Sequence, residues 1–202
     1  EEDDQVRDWL ADVSDMMRAY MYAPGSNITT ALHEAYLDLG AFGTSVLFIG
    51  ERDAGGLLFQ TRPLNEYYIA ENHEGVVDTV YRNTIMTARQ VMQQWPDTAS
   101  EYVRACVTRT DKLDEPVEII HAVQPRRERD GGKLNQENMP WESIYIEMKT
   151  RSLLEESGFP EFPYAVPRWS KFAGEEYGRS PAMTALPDIK MLQEMERTMA
   201  MA

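Results

Sequence analysis

Thr44-Ser45-Val46-Leu47-Phe48-Ile49, then Asp53-Ala54-Gly55-Gly56, then Leu57-Leu58-Phe59-Gln60-Thr61 is the stretch that decides the fold class. Helical spacing of apolar residues stops at Thr44, and a run rich in β-branched and aromatic side chains takes over. The paired glycines turn the chain and the second run pairs back, which makes an antiparallel hairpin. Pro63 ends the second strand, since it has no N–H to donate.

Upstream the period is helical. Val6, Trp9, Leu10, Val13, Met17, Tyr20 and Met21 predict an amphipathic helix over about residues 4–21, with acidic residues at its positive end. Pro24-Gly25 breaks it. Ser26 or Asn27 is placed to cap a second helix with Ile28, Leu32, Ala35 and Leu39 on one face, ended by Gly40 and Gly43.

Downstream, Tyr67–Ala70 and Val76–Arg82 predict a second hairpin across Asn72-His73-Glu74-Gly75. Thr87 caps a helix that reaches Trp95 and stops at Pro96, and a further helix runs over about 98–107. Strands are expected at Val117–Val123 and Ser143–Met148, with Ser152–Glu156 pairing back to the latter. Arg126 to Asn138 is a polar loop around Gly131-Gly132. Proline density from Pro160 to Pro167 restricts that stretch to extended or edge positions. Ser180-Pro181 starts a helix. Pro187 is expected to kink or restart it and to leave Asp188 at a favourable N-terminal position. Ile189, Leu192, Met195, Met199 and Ala202 form an apolar stripe that should pack on another helix, a neighbouring subunit or the chain's own body. The fold class is therefore α+β: N-terminal helices packed on antiparallel hairpins, with a C-terminal helix leading away and no internal repeat.

Composition narrows the function. At 202 residues and 43% hydrophobic, the chain can bury a real core in one domain, with or without an appended element. A net charge of −14 argues against a domain that grips nucleic acid, because such binding neutralises phosphates with Lys and Arg. The single cysteine, Cys106, excludes an internal disulfide and reads as a small buried hydrophobe. No apolar run approaches the ~18 residues of a membrane-spanning helix, and Glu1-Glu2-Asp3-Asp4 is unlike a signal peptide. The chain does not start with Met and stops within a helical pattern, so a piece of a longer protein is expected.

Chemistry-bearing motifs are few. His33-Glu34 begins like a zinc helix, but Leu37 stands where the second histidine would be, and His73 and His121 are far away in sequence. Gly50 to Gly56 lacks the Lys-Ser/Thr ending of a phosphate loop. Glu155-Glu156 and Glu175-Glu176 are the acid pairs a hydrolase could use. Asn27-Ile28-Thr29 matches a glycosylation triplet and reads as capping or turn chemistry. Arg126, Arg127, Arg129 and Lys133 form the only basic cluster, either a solvated loop or a contact with nucleic acid or a partner. Neither a cofactor nor a metal is expected.

Three stretches carry a resemblance. The first is Pro63–Tyr67 with Gly75–Arg82 and Met86–Gln90, and the second is His121–Arg126. The third runs from Ser157–Tyr164 through Arg168-Trp169 and Gly174–Met183 to Leu186–Lys190, and its aromatic, Gly and Pro pattern is the most specific. Together they resemble the portal (head-to-tail connector) family of short-tailed phages and related prophages.

The resemblance implies a non-enzymatic homo-oligomeric ring, typically of twelve subunits, at one capsid vertex of the virion, assembled in the host cytoplasm without a membrane. Such a ring docks the packaging motor (terminase), passes double-stranded DNA non-specifically, and contacts capsid and tail proteins. It further implies that residues 1–180 are a wing and 181–202 the start of a stem helix, with clip and crown absent. Asp188, Lys190, Glu194, Glu196 and Arg197 become candidates for channel or intersubunit contacts. Two rivals stay open: a carboxylate-dependent hydrolase, and another phage structural or adaptor protein of similar build.

Overall fold

In chain order the elements are α1 (Asp4–Met21), α2 (Ile28–Phe42), β1 (Leu47–Glu51), β2 (Leu57–Thr61), β3 (Tyr67–Glu71), β4 (Val77–Thr87), α3 (Ala88–Gln94), α4 (Glu101–Val107), β5 (Pro116–Pro125), β6 (Trp141–Glu147), β7 (Ser152–Phe159), β8 (Tyr164–Ala165) and α5 (Pro181–Met201). This computed structural model describes residues 4–52, 55–130, 132–133 and 135–201. Asp53, Ala54, Gly131 and Ala202, each part of a sequence expectation, lie outside the described residues, as do Glu1, Glu2 and Asp3. The chain divides into two compact units, residues 1–64 with 163–202, and residues 65–162. The crossings fall between Leu64 and Asn65, just after Pro63, and between Phe162 and Pro163.

In the first unit, β1 sits between β2 and β8, antiparallel to both. Ile49 lies opposite Phe59 and Leu47 opposite Ala165, so the hairpin forms as the sequence predicts and the proline-dense stretch supplies an edge strand. The first strand begins three residues later than expected. Thr44 and Ser45, both fully buried, follow an irregular path in which Thr44 bridges Arg168 and the Ser45 N–H donates to the Pro167 carbonyl. Ile28 and Ala31 of α2 cover Leu47 and Phe59, and the Thr61 hydroxyl donates to the Ala31 carbonyl at 2.6 Å.

Three local expectations are corrected here. Ser26 does not cap α2. Its hydroxyl donates to the Met21 carbonyl at 2.6 Å and so serves the last turn of α1. Asn27 precedes α2 in a left-handed conformation, φ 60°, and its side chain makes no capping hydrogen bond. Its turn chemistry is therefore backbone chemistry, which Asn tolerates better than most residues. Gly40 does not end α2. The helix runs on to Phe42 and closes at Gly43, φ 78°, whose N–H returns to the Leu39 carbonyl.

In the second unit, strands β3-β4-β5-β6-β7 form one antiparallel sheet in sequence order. Register separates its faces. Val80 opposes Val123, Thr84 opposes Ile119 and Met86 opposes Val117 on one face. On that face Val117, Ile119 and Leu154 pack with Ala88, Val91, Trp95, Val103 and Cys106 of the α3–α4 segment. Cys106 is buried, as its sequence context implies. Thr87 caps α3 through a reciprocal box with Gln90, as predicted. α4 starts at Glu101, later than expected, because Ser100 accepts the Val103 N–H. β4 runs five residues past Arg82 because β5 pairs with it as far as Thr87 opposite Pro116. Of the buried polar side chains on this inner face, His121 and Ser143 bond each other, but Glu147 does not share in such a pair. Glu147, opposite Ile119, is fully buried and neither carboxylate oxygen has a hydrogen-bond partner among the described residues.

Candidate functional site

α5 is anchored at its first turn. The Ser180 hydroxyl accepts from the Met183 N–H at 2.9 Å and donates to the Ala41 carbonyl at 2.8 Å, so one side chain both caps α5 and ties it to the end of α2. The Gly178 N–H donates to Thr44 Oγ1 at 2.7 Å, and the Trp169 N–H donates to the Gly43 carbonyl at 2.9 Å. Neither Gly43 nor Gly178 has room for a Cβ, because each presses against the other's segment. The Gly178-Arg179-Ser180-Pro181 stretch is thus a socket for α5, which explains why those residue types sit there.

The approach to the socket is held by charge. Arg179 Nε donates to Glu175 at 3.0 Å, a second guanidinium nitrogen meets the other oxygen, and the guanidinium lies 4.6 Å from the Phe172 ring centroid. Arg179 thereby holds the Glu175 carboxyl below its ordinary value. Trp169, Phe172, Arg179, Thr184 and Asp188 line an open groove beside the first turns of α5.

Beyond the socket, α5 has no buried residue. It continues unbroken through Pro187 to Met201, so the expected restart does not occur and Asp188 is an interior helix position, not an N-terminal one. Pro187 falls in the second turn, where it removes a single ladder hydrogen bond. Asp188, Lys190, Glu194, Glu196 and Arg197 are all exposed on this helix, and none is in an ion pair among the described residues. The apolar stripe is open too, with Ile189, Leu192 and Met195 about half exposed and Met199 73% exposed.

The basic loop does not act as one cluster. The Arg126 side chain is only 7% exposed. Its guanidinium donates to Glu156 at 2.7 Å and to the Ser157 and Met139 carbonyls at 2.8 and 3.2 Å. It is a strap across the base of the loop rather than a hand held out to a partner. Arg129 donates to the Asn138 carbonyl at 3.2 Å, and Lys133 lies 3.8 Å from Asp130. Buried Asn138 organises the turn, accepting from the Asp130 N–H and donating to the Lys133 carbonyl. Arg127 is exposed and, among the described residues, makes no bond of this kind. The signal missed in the sequence was Gly158, against which the Gln136 and Trp141 carbonyls press, and which marks the loop as folded onto β7.

Glu155 and Glu156 do not converge. Glu155 opposes Tyr145 and accepts from the Trp95 indole at 2.6 Å, while Glu156 opposes Ile144 and is taken by Arg126, so the two point to opposite faces of the sheet. Of the histidines, His33 and His73 are exposed, and His121 is buried, bonded to the Ser143 hydroxyl and stacked on Tyr145.

The whole chain, residues 1–202, matches the family model described as bacteriophage head to tail connecting protein. The chain belongs to this head-to-tail connecting family. It is 38% identical over 202 residues to the probable portal protein of Bordetella phage BPP-1, covering 98% of this chain and 36% of the relative. It is 35% identical over 199 residues to the portal protein of Salmonella phage epsilon15, covering 96% and 35%. This connector-family chain therefore spans about a third of the length of the curated relatives it matches. The socket glycines and the α5 cap fall within the aligned region in both comparisons.

Proposed function

We propose that this chain is part of a phage portal subunit, a structural ring-former at one capsid vertex through which DNA is packaged and ejected. The observation that carries it is similarity along nearly the whole chain to two proteins named as portal proteins. In this reading the full-length protein forms a homo-oligomeric ring, most naturally of twelve subunits, and docks the packaging motor (terminase), capsid and tail. It resides in the virion after assembly in the host cytoplasm, and it performs no catalysis.

Residues 1–180 act as the wing and α5 starts the stem. The open charged positions of α5, Asp188, Lys190, Glu194, Glu196 and Arg197, then face the channel or a neighbouring subunit, and Arg127 is the residue of the basic loop free to meet a partner. A charge of −14 supports a passive conduit, since DNA that must slide should not be gripped. No helix of the described residues is long and apolar enough to cross a membrane.

Electron microscopy of the full-length protein tests the proposal. Closed rings with a central channel are expected. A protein that stays monomeric under every assembly condition overturns it.

A further inference from the structure

Two apolar surfaces of different shape are open on this chain. α1 has no buried residue, and Val6, Trp9, Leu10, Met16, Met17 and Tyr20 are each 52–62% exposed along one side of it. At that exposure they leave about 600–800 Å² of largely apolar surface uncovered, close to the ~800 Å² per partner of a standard interface. The second surface is the outer face of the five-stranded sheet. There register lines up Tyr68, Tyr81, Ala122, Ile144 and Glu156 in one row and Asn83, Ile120, Ile146 and Leu153 in the next. Tyr68 is 60%, Tyr81 37% and Leu153 51% exposed. This apolar centre is flanked by Asn83, Glu118, Gln124, Glu142 and Glu156, the polar rim around an apolar core that an interface carries.

The chemistry of α1 narrows what covers it. Its polar side bears Asp4, Asp8, Asp12 and Asp15 against Arg7 and Arg18. An anionic lipid surface or a nucleic acid would be repelled by that balance. α5 carries a shorter stripe. Ile189, Leu192, Met195 and Met199 span 11 residues of it and lie within about 120° of one another, against the 15 residues from Val6 to Tyr20 on α1. A flat sheet face does suit a broad helical stripe.

We propose that α1 of one copy docks on the outer sheet face of a second copy of this chain. Donor and receptor surfaces differ, so the contact is heterologous and can propagate head to tail and close into a ring. This deepens the ring reading above and rests on it.

The test uses the full-length protein in two tagged forms, one with Leu10→Cys or Met17→Cys, the other with Tyr81→Cys or Leu153→Cys. The forms are mixed during assembly and oxidised, with the unsubstituted protein alongside as background. A covalent pair carrying both tags, absent from the background, is the expected result. Rings that yield no doubly tagged pair overturn the docking while leaving the ring itself intact. So does a pair joined through α1 alone, or a double variant that closes within a single chain. Failure of the unsubstituted protein to form rings removes the ring reading, and this contact with it.

Discussion

The carbonyl oxygen of Gly43 occupies the space that a Cβ on Gly178 would need, although 134 residues separate the two. Gly178→Ala therefore pushes the backbone against backbone, and Gly43→Ala adds the strain of a left-handed φ of 78°. Each is expected to lower unfolding stability by about 1–3 kcal/mol, read from the midpoint of urea denaturation. Gly40→Ala is the control. It meets nothing within 4 Å, lies inside α2, and should add about 0.5–1 kcal/mol.

Arg126 and its neighbour Arg127 separate strap from surface. Arg126→Ala strands Glu156 and two carbonyls, and with Glu156 40% exposed the expected loss is about 2–3 kcal/mol. Arg127→Ala should stay within about 0.5 kcal/mol of the parent. Equal losses at both positions in chemical denaturation would contradict the internal role of Arg126.

Glu147 is a carboxylate in an apolar layer with no partner for either oxygen among the described residues. Glu147→Met keeps the volume and removes the desolvated polar group. It is expected to raise stability by about 1–3 kcal/mol in the same assay. A lower midpoint would show that the carboxylate has found a compensating contact.

Glu175 supplies a pH readout. Its folded carboxyl titrates below the ordinary value of 4.5 because Arg179 donates to the charged form. The pair's contribution is thus complete above pH 4.5 and is lost as pH falls through the lowered folded value. The pair is exposed, so the measurement is the titration of the Glu175 side-chain carboxyl carbon by NMR. Arg179→Ala should return it to the ordinary range.

Local chemistry was the legible part of the fold. Thr87 with Gln90, Ser180 with Pro181, and both hairpins announce themselves within a few residues, because caps and turns are satisfied by neighbours in sequence. What escaped depends on distant groups. Asn27 is turned by the path of the chain, Ser26 reaches back to α1, and Gly43 differs from Gly40 in its left-handed φ and in having to meet residues 178–180. Arg126 counts as a surface charge by composition, and it takes the return of β7 beside it, with the Met139 carbonyl, to bring the oxygens that consume it. The α5 candidates were legible as charged helix positions. Their exposure was not, since a helix start looks the same in sequence whether it is covered or open.

β1 draws its second neighbour, β8, from beyond Pro163, while residues 65–162 build their sheet from one unbroken stretch. On a ribosome the order of completion follows from this. The later-starting unit has its five strands in hand before the earlier one receives Tyr164 and the Gly178 socket. Until then β1 presents a bare edge, a transient invitation to the wrong strand.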